Sequence, residues 1–157
     1  MYKLFLIFLS FFLLCACTNQ ALSTDKIKID LKEVSFDVVE KKLELHDKVP
    51  THVKDLANFW FNNKVKVDGI DGNLVFTLFD YNEKISDITD GKRIDISLKF
   101  EVLTYKSNMS KKKKIIGEVK SFGTIDGDFA LNEFDNLIKK TQSDLIVRLS
   151  KDLKSNI

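Results

Sequence analysis

The residues that could carry chemistry in this chain of 157 residues are few and widely spaced. The two histidines, His46 and His52, are six positions apart, a spacing that matches no standard pair of metal ligands. The serines lie in no nucleophile motif, and the glycines form no phosphate-binding loop. The run with Asp68, Asp71 and Asn73 lacks the register of a calcium loop, and Asp-Gly pairs mainly form turns. The sequence therefore predicts a protein that is not an enzyme and that holds neither a metal nor a cofactor.

The two cysteines follow an apolar run near the N-terminus. Lys3 precedes the eleven residues Leu4–Leu14, of which only Ser10 is not strongly apolar. This layout is typical of an export signal. As a helix the run would measure about 16 Å, roughly half of a ~30 Å hydrocarbon core. We therefore expect no permanent transmembrane span here.

The four residues Leu14-Cys15-Ala16-Cys17 resemble the lipobox of bacterial lipoproteins. In that family a branched apolar residue lies three positions before the cysteine, and a small residue directly precedes it. Cys15 departs from the Ala, Ser or Thr that is usual at its position. The resemblance implies cleavage after Ala16 and attachment of a diacylglycerol to the thiol of Cys17. Two alternatives stay open, a plain secretory signal with an A-x-A-like cut and an uncleaved anchor.

Acylation of Cys17 would determine where the protein is located. Two acyl chains hold a protein on a membrane, because each buried CH₂ contributes ~0.8 kcal/mol. Thr18 stands where Asp is the usual signal for retention at the inner membrane, so the resemblance implies the periplasmic leaflet of the outer membrane instead. We divide the chain into a signal peptide (residues 1–16), a short polar tether (residues 17–25) and one domain (residues 26–157). The tether spans at most about 30 Å, so the domain should lie close to the membrane.

The densest charge cluster is a polar loop that carries Lys111, Lys112, Lys113 and Lys114. One interpretation is a contact with anionic phosphate groups of lipid, where each lysine contributes about 1 kcal/mol, or with a partner. The other is a solvated loop that guards a sheet edge against association. These four lysines are candidate contact residues.

Three consecutive aromatic residues, Phe59, Trp60 and Phe61, fall in a segment with helical periodicity. They span about 200° of a helix and cannot all face one core. With Trp60 on the apolar side, Phe59 points about 120° away from the centre of that side. We expect Trp60 in the core, and Phe59 exposed or in contact with a partner.

Hydrophobic periodicity predicts an α+β domain. Alternation from Ile27 to Val38 predicts one long first strand with a bulge near Lys32-Glu33. Pro50 opens a helical pattern that ends near Asn62-Asn63, and Asp128 is the predicted N-cap of a last amphipathic helix. Three strands lie between the helices, around 74–81, 94–102 and 115–122. We predict a two-layer sandwich in which two helices cover one face of an antiparallel or mixed sheet of about four strands, in the order β-α-β-β-β-α.

A lipobox, a short tether and a domain with this element order resemble the LPS-assembly lipoprotein and the ABC-transport auxiliary lipoproteins of Gram-negative bacteria. The resemblance covers Cys17 to about Lys154 and rests, beyond the lipobox, on element order. It implies a non-catalytic accessory or assembly factor of a membrane or lipid-transport complex, with an envelope protein as its partner. The near balance of 25 basic and 23 acidic residues argues against a nucleic-acid partner.

The alternative function is a periplasmic carrier for a lipid or another small apolar ligand. Such a carrier needs a pocket of several hundred Å³ between the sheet and the helices. Residues such as Phe76, Phe100 and Phe134 would line it. A tightly packed interior would exclude this function.

Overall fold

A mixed four-stranded sheet and two helices make up most of the chain. The computed structural model describes residues 29–106 and 112–156, so the signal, Cys17, the whole tether and Lys111 lie outside the described residues. The strands are β1 (Val34–Phe36), β2 (Glu40–Leu45), β3 (Val65–Val67), β4 (Asn73–Ile88), β5 (Gly91–Tyr105) and β6 (Lys113–Asp126). The helices are α1 (Thr51–Lys64) and α2 (Leu131–Asn156).

The main sheet has the strand order β2-β4-β5-β6. Strand β2 runs parallel to β4, whereas the β4–β5 and β5–β6 pairs are antiparallel. The short strands β1 and β3 pair in parallel and form a second, two-stranded sheet. The predicted α+β class with a mixed sheet of four strands is therefore confirmed. The structure adds β2 and β3 to the predicted order, and β2, not the predicted first strand, is the fourth strand of the main sheet.

Both helices cover the same face of the main sheet. Along β5 the residues Ile94, Ile96, Leu98, Phe100 and Val102 are between 0% and 6% exposed, as their strict alternation predicts. Helix α1 packs Trp60 against Phe76 of β4, and α2 crosses β6 at Gly123. A Cβ at Gly123 would lie 2.5 Å from Thr141 Oγ1, so only glycine permits this close approach. No helix among the described residues is long and apolar enough to cross a membrane.

The start of the chain differs from the prediction of one long strand. Among the described residues 29–33 no strand forms, and β1 begins only at Val34. The backbone N–H of Lys32 donates instead to Ser150 Oγ at 3.1 Å, and the Lys32 carbonyl accepts from Trp60 Nε1 at 3.0 Å. Contacts with α1 and α2 thus occupy the backbone N–H and C=O of Lys32, which a longer strand would use to pair with its neighbour.

Helix α2 begins later than the predicted cap at Asp128. The Glu133 carboxylate accepts a hydrogen bond from the backbone N–H of Ala130 at 2.8 Å, which is half of a capping box. The rings of Phe129 and Phe134 stack at 5.6 Å, in the positions of a hydrophobic staple. Ala130 is therefore the residue that precedes the first turn, and the apolar contact of Phe129 fixes the direction from which the chain approaches the helix.

Lys41 of β2 closes the C-terminal end of α1. Its ammonium donates to the Phe61 carbonyl at 2.7 Å and to the Val65 carbonyl at 2.6 Å, and lies 5.0 Å from the centre of the Phe61 ring. Burial, with a smaller contribution from Lys66, lowers the pKa of Lys41. The last carbonyls of a helix carry partial negative charge and need such donors.

Replacing Lys41 by alanine should lower the free energy of unfolding by about 1–3 kcal/mol, because two carbonyls lose their donor in a partly buried place. Lys42→Ala is the matched control, since its side chain is 70% exposed and pairs with Glu44; we expect a change below about 0.5 kcal/mol. Urea unfolding followed by circular dichroism measures both variants. Equal losses for the two would contradict the capping role of Lys41.

Candidate functional site

Phe59 and Trp60 lie on different sides of α1. Trp60 is 0% exposed and Phe59 is 57% exposed. The predicted burial of Trp60 and exposure of Phe59 are confirmed by the structure. The role of Phe59 as a contact for a partner stays a prediction.

The described lysines of the predicted contact cluster differ in their surroundings. Lys112 Nζ lies 5.5 Å from the centre of the Tyr105 ring, and Lys114 pairs with Glu101 of β5 at 2.8 Å. Lys113 is exposed at the first position of β6. The structure therefore places Lys112 and Lys113 at the start of the edge strand, whereas the charge of Lys114 is partly compensated within the sheet. A lipid or partner contact of these lysines stays a prediction.

The two histidines lie in different parts of the fold. His52 Nε2 lies 3.3 Å from Ser143 Oγ, where α1 meets α2. His46 is exposed and follows the last residue of β2. Within residues 29–106 and 112–156, no group of three or more His, Cys, Asp or Glu side chains is arranged to hold a metal ion.

A cleft of about 490 Å³ opens on the sheet face that the helices leave uncovered. Its lining residues are His46, Lys48, Thr77, Phe79, Asp80 and Glu101. Asp80 reaches it from a β-bulge, because the register of β4 against β5 shifts between Phe79 and Asn82. The backbone of Asp80 has φ 54°, a left-handed conformation that aspartate tolerates better than most residues.

The carboxylates of this cleft are already engaged by lysines. Asp80 forms an ion pair with Lys99, and Glu101 forms one with Lys114. The hydrogen bond and the charge of Lys99 lower the pKa of Asp80. A carboxylate whose pKa is lowered accepts a proton poorly near neutral pH. The cleft thus brings His46 close to carboxylates, as an enzyme would need, but pairs those carboxylates with cations.

Sequence reasoning did not identify this cleft. Its lining residues come from the segment after β2 and from strands β4 and β5, and Asp80 lies 34 positions after His46, so no spacing in the chain joins them. One local signal was available. Asp80 is the single charged residue in the run Leu74–Tyr81, which is otherwise apolar except for Thr77.

The space between the sheet and the helices is filled by aromatic rings. The Phe76 ring lies 5.5 Å from Trp60 and 6.1 Å from Phe100, centre to centre, with the two phenylalanines stacked. Phe134 contacts Phe129 at the start of α2 instead. These three phenylalanines therefore line no common pocket, which counts against the carrier alternative.

Two solved structures of bacterial proteins are similar to this chain. A minor lipoprotein from Acinetobacter baumannii superposes with a TM-score of 0.51 at 14% sequence identity, over 76% of this chain and 94% of that one. The rare lipoprotein B from Shewanella oneidensis gives a TM-score of 0.43 at 15% identity, over 75% of this chain and 98% of that one. The first likeness establishes a shared fold. No family model and no curated protein matches the sequence.

Proposed function

We propose that this chain is a lipid-anchored lipoprotein of the bacterial envelope that faces the periplasm from the outer membrane. In this proposal it acts as a non-catalytic accessory or assembly factor of a membrane or lipid-transport complex. The observation that carries the proposal is the agreement of two independent features. The Leu14–Cys17 sequence resembles a lipobox, and the folded part shares its fold with a protein described as a minor lipoprotein.

The surroundings of the candidate reactive groups support a role without catalysis. His52 contacts a serine between the helices, and His46 lies in an open cleft whose carboxylates are paired with lysines. An active site needs a nucleophile or base that is free to react and a way to exclude water. The cleft is open on the solvent side of the sheet, so it does little to exclude water.

The exposed side of α1 is the surface that we propose for a protein partner. Phe59 is exposed on a helix whose other large apolar residues are buried or partly buried, and exposed aromatic residues are enriched at interfaces. Lys112 and Lys113 form the proposed second contact, for anionic lipid or for the same partner.

Mild crosslinking in intact cells tests the accessory role. We expect one envelope protein to copurify with the tagged wild type, and Phe59→Asp to reduce its recovery by roughly tenfold, as for a buried aromatic residue at an interface. Ile70→Asp is the matched control, because Ile70 is an apolar residue that is 98% exposed in the turn before β4 and is not part of α1. A protein that recovers no partner, and whose deletion leaves envelope lipid transport intact, would contradict the proposal.

A further inference from the structure

Strand β6 is an open edge of the main sheet. It is the last strand in the order β2-β4-β5-β6, and no other strand of the described residues pairs with its outer side. It has 14 residues and pairs with β5 from Lys113 to Asp126 without a break in register. Soluble proteins usually shorten, bulge or cover such an edge, because its free N–H and C=O groups bind other strands.

The side chains on the uncovered face of β6 have a nearly symmetric order. Ile116 and Phe122 are 59% and 55% exposed, although both are large and apolar. Between them, at every second position, lie Glu118 and Lys120. On this face the order along the strand is thus apolar, acidic, basic, apolar, with Val119 at its centre. Reversing its direction exchanges the two apolar residues with each other and the two charges with each other.

We infer that β6 pairs with β6 of a second copy of this chain, antiparallel about a two-fold axis at Val119. In this register Ile116 lies opposite Phe122, and Glu118 lies opposite Lys120, and the symmetry forms each pair twice. Apolar pairs and opposite charges that face each other directly stabilise antiparallel strands. The four-stranded sheets of the two copies then form one continuous sheet. The free N–H and C=O groups on the outer side of β6 are hydrogen-bonded in each copy.

The neighbouring registers are excluded by charge and by the direction of the side chains. Moving the axis by one residue in either direction places Glu118 opposite its own copy or Lys120 opposite its own copy, and like charges that face each other are destabilising. Moving the axis by half a residue, to a point between two residues, pairs side chains of the uncovered face with side chains of the covered face. Among these registers, only the one centred on Val119 places opposite charges and apolar residues directly opposite each other.

The charges of the single chain are compatible with this pairing. Glu118 and Lys120 already form an ion pair along the strand at 3.0 Å, and the Lys120 ammonium lowers the pKa of Glu118. In the paired state the two carboxylates and two ammonium groups alternate in sign around the axis, so each charge gains a second neighbour of opposite sign. This inference does not depend on the proposed function.

Charge reversal of the full-length protein, purified in detergent, tests the pairing. Two copies with different tags are expressed together, and recovery of one with the other is measured alongside sedimentation. We expect a dimer for the wild type. Glu118→Lys and Lys120→Glu each place like charges opposite one another twice, so each alone should weaken dimerisation about tenfold. Coexpression of these two variants restores opposite charges at both places and should restore the dimer. Lys140→Glu, on the exposed side of α2, should have no effect.

A second measurement uses the wild type and does not depend on variants that fold. A carbodiimide joins a carboxylate to an amine only when the two are in contact. We expect a link between two copies of the peptide that contains Glu118 and Lys120, which an intrachain link cannot produce. A wild type that is monomeric and gives no such link, or a dimer that neither charge reversal weakens, would overturn the inference. The inference would also be overturned if the Glu118→Lys and Lys120→Glu variants did not associate when expressed together.

Discussion

Replacing Cys17 by alanine should move the protein from the membrane fraction to the soluble fraction and abolish its labelling with palmitate. No helix of the described residues is built to cross a membrane, so in the proposed function the attachment depends on the acyl chains. Each buried CH₂ contributes about 0.8 kcal/mol, so loss of two chains should lower the membrane-bound fraction by at least about tenfold. Fractionation, acyl labelling and the mass of the mature chain measure the outcome.

The matched control for this variant is Cys15→Ala. Cys15 lies within the segment that the proposed cleavage removes, and alanine is a usual residue at its position in the resembled motif. This variant should be labelled and retained like the wild type. Membrane retention of Cys17→Ala with the mass of the whole chain would indicate an uncleaved anchor. Unlabelled wild type of normal mature mass would indicate a plain secretory signal.

Trp60→Ala should lower the free energy of unfolding by about 3–5 kcal/mol, the usual range for removal of a buried tryptophan. The Trp60 side chain is fully buried, and its ring meets Phe76 edge-on at 5.5 Å. Its Nε1 also donates to the Lys32 carbonyl at 3.0 Å, so the variant loses a cross-link between α1 and the N-terminal segment as well as apolar contact. Urea unfolding in the Cys17→Ala background, followed by far-ultraviolet circular dichroism, measures this change.

Phe59→Ala is the control, because it removes an aromatic ring from the adjacent position of the same helix. Phe59 is 57% exposed, so its removal should change the free energy of unfolding by no more than about 0.5 kcal/mol. The same variant should reduce recovery of a partner if Phe59 is a contact residue. Similar losses of stability for both variants would show that α1 packs differently from the arrangement described above.

The elements with strong periodicity were predictable. Helix α1 follows Pro50 and ends at Lys64, one residue beyond the predicted Asn62-Asn63. Strand β5 buries every second residue as its alternation requires. In both cases the covered side is set by the element's own residues, so the pattern in the chain is sufficient.

The failed prediction of a long first strand depends on contacts that are distant in sequence. Alternation around Ile29 and Leu31 resembles a strand, but Ser150 and Trp60 bind the backbone of Lys32, and no pattern near residue 30 indicates either contact. The start of α2 was misplaced at Asp128 for a local reason. In a capping box, Glu133 accepts a hydrogen bond from the backbone N–H three positions before it, which is that of Ala130. The contact of Phe129 with Phe134 favours the same helix start.

The candidate surfaces also differ in whether local sequence or distant contacts determine them. The exposure of Phe59 follows from helical geometry, which is local. The cleft at Asp80 requires the β2–β4 and β4–β5 registers together, and the edge position of β6 requires the order of the whole sheet. The charge pattern of β6 is visible in the sequence, but its meaning depends on knowing that no strand lies beyond it.

The hydrogen bond between Lys32 and Ser150 also constrains the order in which the chain acquires its structure. It joins residues 118 positions apart, whereas the β4–β5–β6 meander is built from neighbouring hairpins. Local hairpins form sooner than contacts of long sequence separation. The backbone at Lys32 is therefore fixed only after the last helix has docked. In the proposed function, where Cys17 of an exported chain is acylated, this late step would take place on a chain that is already tethered to the membrane.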